Sequence, residues 1–180
     1  MIWFSSDLHF NHSKNFIYAP RDYANVYDMN NAIIENFHAF VKPEDDLYLL
    51  GDTMLGQLEP GIKLFNQLPG KIHLAWGNHD TDVRKEALSK CHNVVEIIGY
   101  ANMLKYNHYH FYLSHYPTIT TNFDIDKPLK QRVLCLAGHT HSKDKFEPCG
   151  SYNVSVDAHS CYPISIDEII SDYKKKLGQN

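Results

Sequence analysis

The chain has 180 residues, 43% of them hydrophobic, and 17 Lys and Arg against 21 Asp and Glu give it a formal charge of -4. That length suits one globular domain spanning 1–180, with a sizeable core and no room for a second domain. Arginine occurs only at positions 21, 84 and 132, which excludes a long phosphate-tracking surface for nucleic acid, and no apolar run approaches the ~20 residues that span a bilayer.

Hydrophobic periodicity gives the elements in chain order. "MIWFSSD" reads as an opening strand, and "DMNNAIIENFHAFV" as a helix with Asp28 at its N-cap and Ile33, Ile34, Phe37, Phe40 and Val41 on one face. The strand "DLYLLGD" follows, then a helix through "EPGIKLFNQL" with Pro60 in its first turn, a Pro69-Gly70 turn, and the strand "KIHLAW". "VVEIIGYANMLKY" and "YHFYLSHYP" flank Asn107 as a predicted antiparallel hairpin. "RVLCLAGHTH" and "YNVSVD" are further strands, and Ser165 with Glu168 has the capping-box spacing that opens a C-terminal helix. Strands and helices in this alternation imply a layered α/β protein. Cys91, Cys135, Cys149 and Cys161 lack any C-x-x-C spacing, and no signal-peptide pattern opens the chain, so reduced thiols in a cytoplasmic protein are expected.

Polar residues gather where apolar strands stop. Five predicted strands finish in Asp7-Leu8-His9, Gly51-Asp52, Gly77-Asn78-His79-Asp80, Ser114-His115 and Gly138-His139-Thr140-His141. In open α/β sheets, ligand sites form beyond the carboxyl ends of strands, so residues distant in sequence converge there. Asp, His and Asn without Cys make a shell of oxygen and nitrogen donors that accepts Mn, Fe, Ni or Zn. In Asp7-Leu8-His9 and in His139-Thr140-His141 the donors stand at i and i+2, a spacing that on a strand projects both to one side. Asp7, His9, Asp52, Asn78, His115, His139 and His141 exceed what one four-coordinate ion needs, which suggests two divalent metal ions sharing a carboxylate. Such a pair would supply the positive charge that the scarce arginines do not. Singly, each motif has a bland reading as a turn or a solvated histidine; five strand ends carrying such residues together do not.

The order D-x-H, G-D, G-N-H-D, H, G-H-x-H resembles the calcineurin-like metallophosphoesterase superfamily, and the likeness to its small bacterial and phage-type members extends through "YNVSVDAHSCYPISIDEI". The resemblance implies a four-layer α-β-β-α sandwich of two mixed β-sheets flanked by helices. It implies one metal held by Asp7, His9, Asp52 and His141, and a second held by Asp52, Asn78, His115 and His139. Manganese is the expected occupant. His79 matches the catalytic histidine that serves the leaving oxygen, with Asp80 orienting it. The implied reaction is in-line attack of a metal-bridging hydroxide on a phosphodiester of a small nucleotide-like substrate. A phosphomonoesterase and a non-catalytic scaffold are the alternatives. Small members of the superfamily often pair, which adds a homodimer to the expectations.

Departures from the pattern narrow the reading. Thr53-Met54-Leu55-Gly56 follows Gly51-Asp52, where the protein-phosphatase branch carries acidic and arginine residues, which argues against a phosphoprotein substrate. Access must be set by local loops. In "FNHSKNFIYAPRDYANVY", Asn11, His12, Lys14 and Arg21 are candidates for the rim, with His12 and Arg21 expected to bind substrate phosphate beside Asn78. The loop "PTITTNFDIDKPLKQ" is a candidate wall; Tyr116 and Phe123 could stack on a base there, but packing is the commoner role for aromatics in so tyrosine-rich a chain. His38, His73, His92, His108, His110 and His159 have no motif position and are assigned to structure.

Overall fold

A computed structural model describes residues 1–120 and 126–178. Strands β1 (Ile2–Ser5), β2 (Asp46–Leu50), β3 (Lys71–Ala75) and β4 (Val94–Gly99) lie parallel in the order β4-β3-β2-β1, and β9 (Ile164–Ser165) adds to β1 antiparallel. The second sheet has the order β5-β6-β7-β8, from β5 (Ala101–Tyr106), β6 (Tyr109–Ser114), β7 (Val133–Ala137) and β8 (Tyr152–Asn153); β5 and β6 are antiparallel and the remaining pairs parallel. Helices are α1 (Asn15–Tyr18), α2 (Val26–Phe40), α3 (Leu58–Phe65), α4 (Asp82–Ser89) and α5 (Ile166–Lys176). The architecture is the expected α/β sandwich of two mixed sheets flanked by helices.

Side-chain alternation along the first sheet divides the apolar residues between two cores. Trp3, Leu47, Leu49, Ile72 and Leu74 face Met29, Ile33, Ile34 and Phe37 of α2, Phe65 of α3 and Leu88 of α4. Phe4, Leu50 and Ala75 face the other way, against Phe111 and Leu113 of β6 and Leu134 and Leu136 of β7, with Ile166, Ile169, Ile170 and Tyr173 of α5 in the same cluster.

Several local expectations hold and several are corrected. The Ser165–Glu168 capping box opens α5, and the Asn107–His108 pair, both at positive φ, turns β5 into β6. The N-cap of α2 is Asn25, whose side chain accepts the Asp28 amide; Asp28 sits inside the first turn, where its charge favours the helix N-terminus. Phe40 lies exposed at the end of α2, edge-on to Trp3, while Phe37 and Val41 on either side of it are buried. "VVEIIGYANMLKY" is two strands in different sheets, parted at Gly99, whose φ of 76° favours glycine. "YNVSVD" pairs as a ladder only at β8, while Ser155 bridges to Ser6 and so laces the end of one sheet to the other.

Candidate metal centre

The expected convergence of donors is present, but strand pleating does not produce it. β1 stops at Ser5 and β7 at Ala137, so Asp7-Leu8-His9 and His139-Thr140-His141 lie in the loops beyond them. Asp7, His9, Asp52, His139 and His141 all adopt left-handed backbone, with φ between 49° and 72°. That region costs a non-glycine residue on the order of 1–3 kcal/mol, and such residues collect at functional sites. The loops are held by hydrogen bonds that continue the strand ladders: the amides of Asp7 and His9 donate to the carbonyls of Gly51 and Asp52, and the Gly138 amide donates to the His115 carbonyl.

Donor atoms face one another in two groups, Asp7 with His9 and His141, and Asp7 with Asp52 and His115. In the first, His9 Nε2 and His141 Nε2 are 3.2 Å apart, and each stands 3.9 Å from Asp7 Oδ1. In the second, His115 Nε2 is 3.0 Å from Asn78 Oδ1 and 3.4 Å from Asp52 Oδ2. Asp52 Oδ2 also lies 3.9 Å from His9 Nε2, so this carboxylate, like that of Asp7, links the two groups. The His139 ring is set edge-on to those of His115 and Tyr116, at centroid separations of 5.1 and 4.6 Å.

Three observations fit this cluster to divalent cations. Asp7 Oδ1 is buried without a hydrogen-bond partner, a costly state for a carboxylate oxygen that a cation relieves. His115 directs Nδ1 to the Leu50 carbonyl at 2.8 Å, and His141 directs Nδ1 to Asp157 Oδ2 at 2.9 Å. Both acceptors fix the ring proton on Nδ1 and leave Nε2 as a lone pair aimed into the cluster, the usual arrangement of a metal-ligating imidazole. Burial together with neighbouring His141 holds His9 down to about 3, so its imidazole is neutral at ordinary pH and free to donate an electron pair. Burial also raises Asp7 and lowers His139, whereas at Asp52 burial is outweighed by His115 and the His79 amide, which keep it ionised.

Backbone close approach makes two glycines obligatory. A Cβ on Gly138 would be built into Ser6 Oγ and Asp7 Oδ2, and one on Gly77 into Asp52 Oδ1. Gly138→Ala is expected to push the Asp7 carboxylate out of place and weaken metal uptake at least about tenfold, an effect measured by equilibrium dialysis of the purified variant.

A cavity of about 530 Å³ opens over these donors, lined also by His12, Phe16, Ile17, Leu55, Asn78 and His79. The His79 side chain is half-exposed there, with Nε2 4.0 Å from Asp52 Oδ2, and its backbone amide donates to Asp52 Oδ1 at 2.9 Å. His12 sits where the rim was expected, beside His9 and edge-on to Phe16. Asn11 turns to the Gln57 carbonyl, and Lys14 is exposed ahead of α1. Phe123 falls outside the described residues.

Two expectations are corrected. Arg21 is buried at 9% exposure and away from this cavity; its guanidinium is spent on Asp157 and on the carbonyls of Asp7 and Leu8, because a guanidinium among buried acceptors binds them before any external phosphate. Asp80 does not address the His79 ring. Its Oδ2 accepts the amides of Gly77 at 2.7 Å and Asp52 at 3.0 Å, which braces the two motif loops against each other. Burial lifts the Asp80 carboxyl to about 6.

Sequence comparison agrees with this geometry, since the model of the calcineurin-like phosphoesterase family matches residues 1–177. The chain belongs to that family. It is accordingly a phosphoric ester hydrolase whose Asp and His cluster suits divalent metal. An uncharacterized protein of Methanocaldococcus jannaschii is 30% identical to this calcineurin-like phosphoesterase over 97% of this chain and 92% of its own. Among solved structures, a protein of unknown function from Aquifex aeolicus superposes with a TM-score of 0.71 at 28% identity, covering 95% of this chain and 98% of its own. An archaeal phosphodiesterase shares the fold with a TM-score of 0.51 at 20% identity, over 86% of this chain and 81% of that one. No helix among the described residues is long and apolar enough to cross a membrane, and all four cysteines are free thiols.

Sequence reasoning missed Asp157. It closes the predicted strand "YNVSVD", and its only signal there is an acidic side chain with no partner in the motif set.

Proposed function

We propose that this protein is a dinuclear-metal phosphodiesterase acting on small, nucleotide-like esters. The reading is carried by Asp52, whose Oδ2 lies 3.9 Å from His9 Nε2 on one side of the cluster and 3.4 Å from His115 Nε2 on the other, as a shared ligand of two ions would. In this reading Asp7, His9, Asp52 and His141 hold one ion, and Asp52, Asn78, His115 and His139 the other. Manganese suits this mixed oxygen and nitrogen shell, with iron, nickel and zinc as competitors. Two such cations supply positive charge to the phosphoryl oxygens and lower the pKa of a coordinated water.

The protein's own groups do the rest. His79, half-exposed in the cavity, is the proton donor to the departing ester oxygen. Asp80 holds the Gly77 and Asp52 amides and thereby keeps both motif loops in register. His12, beside His9 in the cavity lining, is the side chain assigned to substrate phosphate. Phe16, at 66% exposure, with Ile17 and Leu55, provides an apolar wall for the organic part of the substrate.

The lining favours a diester. Among the described residues no Lys or Arg lines the cavity, so beyond the metals only the His79 and His12 imidazoles would meet the second negative charge of a monoester, whereas a diester brings one charge and a second organic substituent for the apolar wall. Manganese-loaded protein is expected to cleave bis-p-nitrophenyl phosphate at least about tenfold faster, in kcat/KM, than p-nitrophenyl phosphate. A faster monoester reaction would replace this reading with a phosphomonoesterase. Inertness toward both, with metals bound, would leave a scaffold.

A further inference from the structure

We infer that Arg21 and Asp157 are positioning residues that set the grip of one cation site, the Asp7–His9–His141 group, independently of the other. The inference rests on the dinuclear reading above.

His141 comes from a loop, with its side chain 35% exposed, so packing alone does not fix its ring. The ring is fixed by Asp157, whose Oδ2 accepts from Nδ1 at 2.9 Å and leaves Nε2 facing His9 Nε2 and Asp7 Oδ1. Asp157 is in turn held by one edge of the Arg21 guanidinium: Nε donates to Oδ1 and Nη2 to Oδ2, each at 2.8 Å. The same guanidinium donates from Nη2 to the Asp7 carbonyl at 2.8 Å and from Nη1 to the Leu8 carbonyl at 3.2 Å, and Nη1 lies 3.5 Å from Met29 Sδ. An arginine has five N–H donors, so all of them are directed at protein acceptors and none remains for substrate.

Arg21 therefore ties together the backbone between Asp7 and His9 and, through Asp157, the His141 ring. These are the three donors of one group, and of them Asp7 alone also stands in the group with Asp52 and His115. On the opposite side the orienting contacts are different ones: the Leu50 carbonyl aligns His115, and Asp80 braces Gly77 next to Asn78. A fault at Arg21 or Asp157 should thus be felt by one ion and spare the other. Lysine cannot replace the fork, because a point charge reaches one carboxylate oxygen where the guanidinium spans two and two carbonyls besides.

The experiment titrates Mn(II) into wild-type protein, Asp157→Ala and Arg21→Met, by equilibrium dialysis with metal analysis, and reads the spin coupling of the bound pair by EPR. Wild type should bind two coupled ions. Each variant should keep one ion at wild-type affinity, lose affinity for the other by about tenfold to a hundredfold, and lose the coupled signal at limiting metal. Should both variants fail to fold by circular dichroism, Arg21→Lys, which retains the buried charge without the fork, carries the same expectation in weaker form. Two ions in wild type with both affinities unchanged, or both lowered alike, in the variants overturns the role of the pair. Fewer than two ions in wild type overturns the dinuclear reading itself, and the role of the pair with it.

Discussion

Asp52→Ala is expected to abolish turnover, lowering kcat/KM for a bis-aryl phosphate by about a thousandfold or more, and to empty both cation sites together. The reason is geometric. Asp52 Oδ2 is 3.4 Å from His115 Nε2 and 3.9 Å from His9 Nε2, so its carboxylate reaches the histidine donors of both groups at once. Its Oδ1 additionally accepts the His79 amide, so the Gly77-Asn78-His79 loop loses an anchor when the side chain is cut back. Removing a shared ligand costs several kcal/mol of transition-state stabilisation, and each 1.36 kcal/mol is tenfold in rate. Metal analysis beside the kinetics makes the result specific. A variant that retains two ions at full affinity would mean that Asp52 does not bridge.

His79→Ala should behave quite differently, because the contact that shapes the loop is made by the backbone. The amide of residue 79 still donates to Asp52 Oδ1 after truncation, so both ions should remain. The missing imidazole should be felt according to the leaving group. A diester that departs as a poor alkoxide should slow by about a hundredfold or more, the usual contribution of a positioned general acid, while one that departs as p-nitrophenolate should slow by less than about tenfold. Losses of equal size on the two substrates would count against proton donation and leave His79 as a contact to phosphate oxygens.

These contrasts follow from what the sequence conveyed well and what it conveyed poorly. Motif residues at the ends of apolar strands were legible because the strand-to-loop boundary is written in composition: "DLYLLGD" turns polar at one sharp point, and β2 does end there. How the donors converge was not legible. The i, i+2 argument assumes pleated strand, whereas Asp7, His9, His139 and His141 are brought together by left-handed loop backbone, a conformation that side-chain chemistry in non-glycine residues does not announce. Arg21 and Asp80 were misassigned for a related reason. A charged residue near a motif reads the same whether it faces solvent, substrate or buried carbonyls, and only the three-dimensional acceptors of its hydrogen bonds decide. Asp157 is silent because its partners, His141 and Arg21, lie 16 and 136 positions away. Short strands such as β9 escaped notice since two residues carry no period.

The hairpin turn at Asn107–His108 stands at the start of β6, and β6 runs toward His115. At about 3.3 Å per residue, the six residues of β6 put roughly 20 Å of rigid strand between that turn and the donor cluster. The molecule thus has a working end and an idle one. A fluorophore or an affinity peptide grafted between Asn107 and His108 would ride on the idle end, reporting on the protein without touching the chemistry at the other.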